Sequence, residues 1–322
     1  MLKKSLILIA LLFIIVGAIF IIFTLKLPHD TYLWRETQNT GHTPIFGIIA
    51  IAILGILTAL QGNLTQKRLL HYLVAFIGAS MMGAAVEIAQ LWTPGDADIW
   101  DFLRDLAGES AFLGFYMLID NRMTSLLYKQ TGRKLLILVI STIISIGAIY
   151  PLAYLAYAYY ERDRAFPKIT NFEQRWENSF LRPRNITLQR QANPDTRPGA
   201  HGQKVACITF MPVTYPTLFI EEPCPNWMGY DTLSFAIFSK QDTVLKLAIS
   251  IEDSHHNNKY EDRYSLSLKV EPGPNQFNIP LKNIENAPSK RKMKMDSIRA
   301  IRLFAHKPAN AFSVYIDNFE LK

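Results

Sequence analysis

Apolar and polar positions follow two regimes along this chain. From Ser5 to Leu25 the residues are almost without interruption apolar behind Lys3 and Lys4, enough for the roughly 20 helical residues that a hydrocarbon core requires. That run exceeds the roughly 7 to 15 apolar residues of a signal peptide, and no small-residue cleavage site follows it, so it is expected to persist as a span. Four further segments, about 44–60, 69–92, 98–119 and 135–157, predict a bundle of about five transmembrane helices. The fourth span carries the most charge.

Beyond Tyr159 the period becomes two. Leu245, Leu247, Ile249 and Ile251 alternate with Lys246, Ala248, Ser250 and Glu252, the spacing of a half-buried strand. Similar runs occur at 233–238, 266–270, 277–281, 301–304 and 312–321, separated by turn residues such as Glu271-Pro272-Gly273-Pro274-Asn275. In the last run the apolar parity moves from Val314 and Ile316 to Phe319 and Leu321, as a β-bulge near Asp317 and Asn318 would cause. The expected fold is an all-α transmembrane bundle over residues 1–160, a polar linker or short helix at 161–184, and an all-β antiparallel sandwich of jelly-roll type over 185–322.

Charge supports the division. Of 34 Lys and Arg residues only 11 precede residue 160, and of 27 Asp and Glu only 9. The short-loop cations set a topology. With the N-terminus in the cytoplasm, Lys3, Lys4, Lys67, Arg68, Arg122, Lys129, Arg133 and Lys134 lie inside, and Lys26 and Arg35 outside. Five spans then put the C-terminal domain outside the cytoplasm, making the chain a multi-pass protein of the cell (inner) membrane with lipid as a partner. The net charge of +7 does not imply nucleic acid, because no segment interleaves Lys and Arg with stacking aromatics. The two cysteines, Cys207 and Cys224, both fall in the outer domain, where a disulfide between them is expected; two buried free thiols are the alternative. Nothing in the sequence sets the oligomeric state.

The chemistry-bearing stretch lies in the membrane half. At 100° per residue Asp98, Asp101, Asp105 and Glu109 occupy an arc of about 80° on one helix. Such a stripe in an apolar segment faces a bundle interior or a wet cavity, because a charge at the bilayer centre costs at least about 2.5 kcal/mol. Glu87, with Gln90 one turn away, ends the preceding span, and His42 opens an earlier one. These groups are expected to converge on an outward-facing acidic pocket able to ligate a divalent cation, relay protons or bond a polar head group. The competing reading is a packing network in which Arg104 neutralises a neighbouring acid. Gly108 reads as a small residue that lets helices approach closely.

The run Glu87, Gln90, Pro94-Gly95, Ala97-Asp98, Asp101, Asp105 and Gly108, with His42 before it, resembles the signature of the VanZ-like family of integral membrane proteins over residues 25–120. One departure is evident: the Arg expected after Pro-Gly is absent, Gly95 being followed by Asp96, and the match is one residue shorter there. The founding member of that family is associated with low-level teicoplanin resistance, so the resemblance implies a role in cell-envelope or glycopeptide biology.

Residues 185–322 resemble galactose-binding-like sandwiches that serve as carbohydrate-binding modules. The likeness is carried by Trp227-Met228-Gly229-Tyr230 through Phe235, by Leu247 to Asp253 followed by Asp262-Arg263-Tyr264, and by the closing Val314 to Asn318. Trp227, Tyr230, Tyr260 and Tyr264 are then candidate stacking platforms for a sugar ring, with an envelope glycan or lipid-linked saccharide as partner; the alternative is that Trp227 and Tyr230 are core aromatics of the sandwich. No cofactor follows from any motif. Asp317 at a strand end is a candidate ligand for structural Ca²⁺. No Ser/His/Asp, Cys/His or zinc pattern is present, so a non-enzymatic binding protein is the first expectation. The alternative is an outer-leaflet enzyme acting on a lipid-linked sugar or phosphate, with His42, Glu87, Asp101 and Asp105 as metal ligands or acid and base.

Overall fold

The structure, a computed structural model, describes residues 2–28, 30–61, 67–92, 98–123, 131–195 and 203–322. The chain divides into two compact units, 1–154 and 155–322.

The first unit is helical: α1 (Leu2–Thr24), α2 (Tyr32–Thr40), α3 (His42–Gln61), α4 (Arg68–Gln90), α5 (Ile99–Ile119) and the first part of α6 (Thr131–Ala165). Among the described residues, four segments are long and apolar enough to cross a membrane: Lys4–Thr24, Tyr32–Leu60, Arg68–Gln90 and Thr131–Ala165. The helix expected as a fourth span, α5, has the length but carries Asp101, Arg104, Asp105 and Glu109 and is not among them. The short α2, capped by the Thr31 side chain accepting from Trp34 N–H, was not visible in the hydropathy pattern. Phe46, Ile49, Ala50 and Leu54 of α3 recur at helical spacing and pack with Tyr72, Ala75 and Ala79 of α4 and Leu113 of α5. Large apolar side chains such as Phe13, Phe20 and Met81 point outward instead, the arrangement expected where acyl chains replace water.

The second unit is a sandwich. One sheet has the order β3 (Ile186–Ala192), β4 (Lys204–Phe210), β11 (Phe312–Leu321), β6 (Thr232–Ser239), β9 (Gly273–Pro280), with β1 (Lys168–Thr170) paired to the end of β11. The other runs β2 (Leu181–Arg184), β5 (Thr217–Glu221), β10 (Ile298–Phe304), β7 (Leu245–Asp253), β8 (Tyr264–Val270). Every neighbouring pair is antiparallel. Ile208, Phe210, Phe235, Ile237 and Val314 from the first sheet meet Leu218, Ile249, Ile251 and Ile301 from the second, each burial contributing about 1.5 to 3 kcal/mol. The β11 register slips between Asp317 and Glu320, where Asn318 takes a positive φ of 54°, so that core side chains change parity to Phe319 and Leu321 as the sequence implied.

Two expectations are corrected here. Residues 161–184 are not a linker: β1 pairs with β11 and β2 with β5, so the sandwich begins before residue 185. The polar residues that suggested a linker, Glu177 among them, bond inward, its carboxylate accepting from Asn171, Phe172 and Gln174 N–H. Cys207 and Cys224 are free thiols. Cys207 alternates with the core-facing Ala206 and Ile208 on β4, so it faces away from the core, whereas Cys224 follows β5 of the opposite sheet.

Candidate functional sites

The outer face of the five-stranded sheet carries a groove of about 1020 Å³. Phe219, Arg302, Ser250 and Ser265 stand in register across β5, β10, β7 and β8, and Thr217, Phe304, Ala248 and Ser267 form the next row. Registered antiparallel partners share a face, and both rows alternate with the core residues Leu218, Leu303 and Ile249. Small side chains on β7 and β8 leave the hollow, and aromatic rings bound it. Tyr215 lies 4.9 Å from the His306 ring and 6.1 Å from Phe304. The Arg263 guanidinium sits 5.3 Å from the Tyr260 ring centre, and Arg302 lies 5.4 Å from that of Phe219.

Polar atoms also line this groove. Arg302 is held at 2.6 Å by Glu252, yet its Nε, the Arg263 Nε and the Ser265 Oγ are buried without a hydrogen-bond partner. Three arginines, Arg184, Arg263 and Arg302, and no carboxylate are among the lining residues. Aromatic faces beside unspent donors suit a polyhydroxylated ligand.

Of the four aromatics singled out from sequence, the structure brings only Tyr260 to this groove. Trp227 is fully buried, its indole N–H donating to the Cys224 carbonyl at 2.9 Å. Tyr264 faces the core, and Tyr230 packs at its edge against Phe166. Their physical role is core packing, because flat rings fill the space between sheets. Tyr215, Phe219, Phe304 and Arg302 belong to no motif in the sequence, and Arg263 enters it only as part of Asp262-Arg263-Tyr264. The available signal was the row of small residues at outward positions of strongly apolar strands: Ala248, Ser250, Ser265 and Ser267.

Asp317 sits buried in the β11 bulge, where its carboxylate accepts from Asn318 N–H at 2.8 Å. Burial, with Glu173 and Glu177 nearby, pushes its pKa up to about 7.

In the helical unit His42, Glu87 and Asp105 come together, each offering one ligand-type atom within 4.8 Å of the others. The His42 Nδ1 is 3.0 Å from Asp105 Oδ1, and Glu87 accepts from the Asp98 N–H at 2.9 Å. Asp98 caps α5 by accepting from Trp100 N–H, and Gln90 is half-buried one turn beyond Glu87. Asp101 is separated from this group by its own pairing: Arg104 binds it at 2.5 Å and Glu36 at 3.1 Å. The acids of α5 thus divide between the convergent cluster and the packing network. Pro94-Gly95 lies outside the described residues.

No protein-family model matches the chain, and no curated protein matches it. Among solved structures, the sandwich is similar to a family 11 carbohydrate-binding module from Clostridium thermocellum in complex with a β-1,3-1,4-mixed-linked tetrasaccharide, at 14% identity and TM-score 0.37 over 48% of this chain and 93% of the module. It is also similar to an exo-β-agarase, at 16% identity and TM-score 0.39 over 48% of this chain and 24% of the agarase. A xylan-binding domain of Paenibacillus barcinonensis Xyn10C aligns at 10% identity and TM-score 0.32 over 47% of this chain and 90% of that domain.

Proposed function

We propose that this chain is a membrane-anchored glycan-binding protein whose groove on the β2-β5-β10-β7-β8 sheet takes a saccharide chain. The observation that carries the reading is the lining itself: rings of Tyr215, Phe219, Tyr260 and Phe304 beside the unspent donors of Ser265, Arg263 and Arg302. Sugar rings present an apolar face for stacking, and their hydroxyls meet buried donors that otherwise lack partners. Arg302 is paired with Glu252, and the guanidinium groups of Arg184 and Arg263, without a lining carboxylate, favour a chain bearing carboxylate or phosphate groups.

The reading extends to the rest of the protein. The helices anchor it in the cell membrane, and with α5 counted as a fifth span despite its acids, the short-loop cations put the N-terminus inside and the sandwich outside. The resemblance of His42, Glu87, Asp98 and Asp105 to VanZ-like positions supports an envelope setting, with glycopeptide resistance as one readout of loss of function. Screening the detergent-solubilised chain against neutral and acidic glycans tests the proposal. Binding that is lost in Tyr260→Ala supports it; no binding at millimolar glycan, or binding indifferent to groove substitutions, removes it.

A further inference from the structure

We propose that His42, Glu87 and Asp105 hold a divalent transition-metal ion within the helical unit, a site independent of the glycan reading. The three residues come from α3, α4 and α5, and each brings one ligand-type atom within 4.8 Å of the other two. Each acid also keeps one carboxylate oxygen unspent. Asp105 is fully buried and gives Oδ1 to His42, while its Oδ2 is buried with no hydrogen-bond partner. Glu87 gives Oε2 to the Asp98 N–H, and its Oε1 is likewise buried and unpartnered.

The unspent Asp105 oxygen faces α4: a Cβ added at Gly83 would lie 2.9 Å from it. Gly83 is one turn before Glu87, so both orphan oxygens address the same stripe of α4. Arg104 does not neutralise them, because it is engaged by Asp101 and Glu36. Two buried carboxyl oxygens without partners are costly in an apolar bundle. A divalent cation supplies both partners at once.

The donor set narrows the ion. Ca²⁺ and Mg²⁺ prefer oxygen ligands throughout, whereas one imidazole with two carboxylates suits Zn²⁺, Mn²⁺ or Fe²⁺.

The test uses the full chain, purified in detergent without a polyhistidine tag, stripped with EDTA and reloaded with Zn²⁺ or Mn²⁺. Plasma mass spectrometry is expected to find about one ion per chain, with a rise in melting temperature on loading. Glu87→Gln, at a half-buried position, is expected to stay monodisperse, to lose at least about tenfold in metal affinity and to lose the thermal response. Asp105→Asn is expected to behave alike where it folds. A wild-type chain that retains neither ion and melts identically with and without them overturns the site. So does metal binding that survives unchanged in Glu87→Gln, since the ion then lies elsewhere.

Discussion

Gly108 on α5 packs directly on the backbone of Thr43 on α3: a Cβ at Gly108 would overlap the Thr43 carbonyl oxygen. The obstruction is backbone, which cannot rotate aside, and His42 is the adjacent residue. Gly108→Ala is therefore expected to push α5 from α3 and to destabilise the helical unit by about 1 to 3 kcal/mol. Gly147 on α6 is the control, because nothing lies within 4 Å of an added Cβ there. Gly147→Ala is expected to be neutral or stabilising, by up to about 1 kcal/mol from helix propensity. Thermal melting in detergent compares the two, and equal melting temperatures would remove the close-approach account.

In the sandwich, Arg291 grips two acids. Its guanidinium donates to Asp253 Oδ1 at 2.8 Å and, through Nε, to Asp262 Oδ1 at 2.6 Å. Asp253 is fully buried. The Arg291 contact holds the Asp253 carboxyl below its ordinary value, and that of Asp262 down to about 2. Both folded values lie below the unfolded ones, so the stabilisation is present above about pH 4 and is lost as pH falls toward 2. Arg291→Met leaves Asp253 buried without its cation, at an expected cost of about 3 kcal/mol near neutral pH. The difference from wild type should narrow as Asp253 protonates. Denaturant unfolding at pH 7 and pH 3.5 measures this, and a gap that stays constant would mean that the loss comes from packing and not from the charge pair.

Much of this architecture could be read from residue order, for reasons that differ between the units. From Thr232 onward the core-facing positions recur every second residue, although the outward Ser234, Ser250 and Glu252 are also covered, and the parity change at Asp317 marks the bulge. The strands before residue 222 carry a weaker pattern. β1 has three residues and β2 contains Pro183, and the edge strand β3 is only half-covered, its burial never reaching the core class. The convergence of His42, Glu87 and Asp105 was legible because polar residues in apolar helices have few places to go. The groove was not, because strand spacing says which face a side chain takes but not which of two sheets leaves a hollow on its outer face. Trp227 shows the same limit: a large ring is equally suited to a sugar or a core, and only its burial decides.

The groove makes a prediction about both shape and charge. Tyr260 is mostly exposed and stacks near Arg263, so Tyr260→Ala should weaken saccharide binding by about 1 to 2 kcal/mol, roughly 5- to 30-fold, without changing the melting temperature. Arg263→Ala should weaken an acidic oligosaccharide more than its neutral counterpart. Raising salt should erode that preference, since exposed charges are screened within about 10 Å at 0.1 M. Calorimetric titration with an oligouronate and the matching neutral sugar distinguishes the outcomes. Equal affinity for both at low salt would exclude a role for the guanidinium groups.

Asp317 supplies a dependence of opposite sign. It is 5% exposed, at the bulge of β11, and its pKa is pushed up to about 7 by burial, with a smaller contribution from the Glu173 and Glu177 charges. The unfolded chain releases this proton near the ordinary value of 3.8. Between those values the folded state holds a proton that the unfolded state has lost, so raising the pH from about 4 to about 7 removes stability. The clamp around Arg291 does not interfere over pH 5 to 8, because its acids are ionised throughout. Asp317→Asn cannot titrate, and its amide preserves an oxygen acceptor for the Asn318 N–H. The variant should therefore gain on wild type by about 2 kcal/mol on moving from pH 5 to pH 8. Denaturant unfolding of the full chain in detergent at the two pH values checks this; wild type and variant shifting in parallel would show that Asp317 is already ionised in the fold.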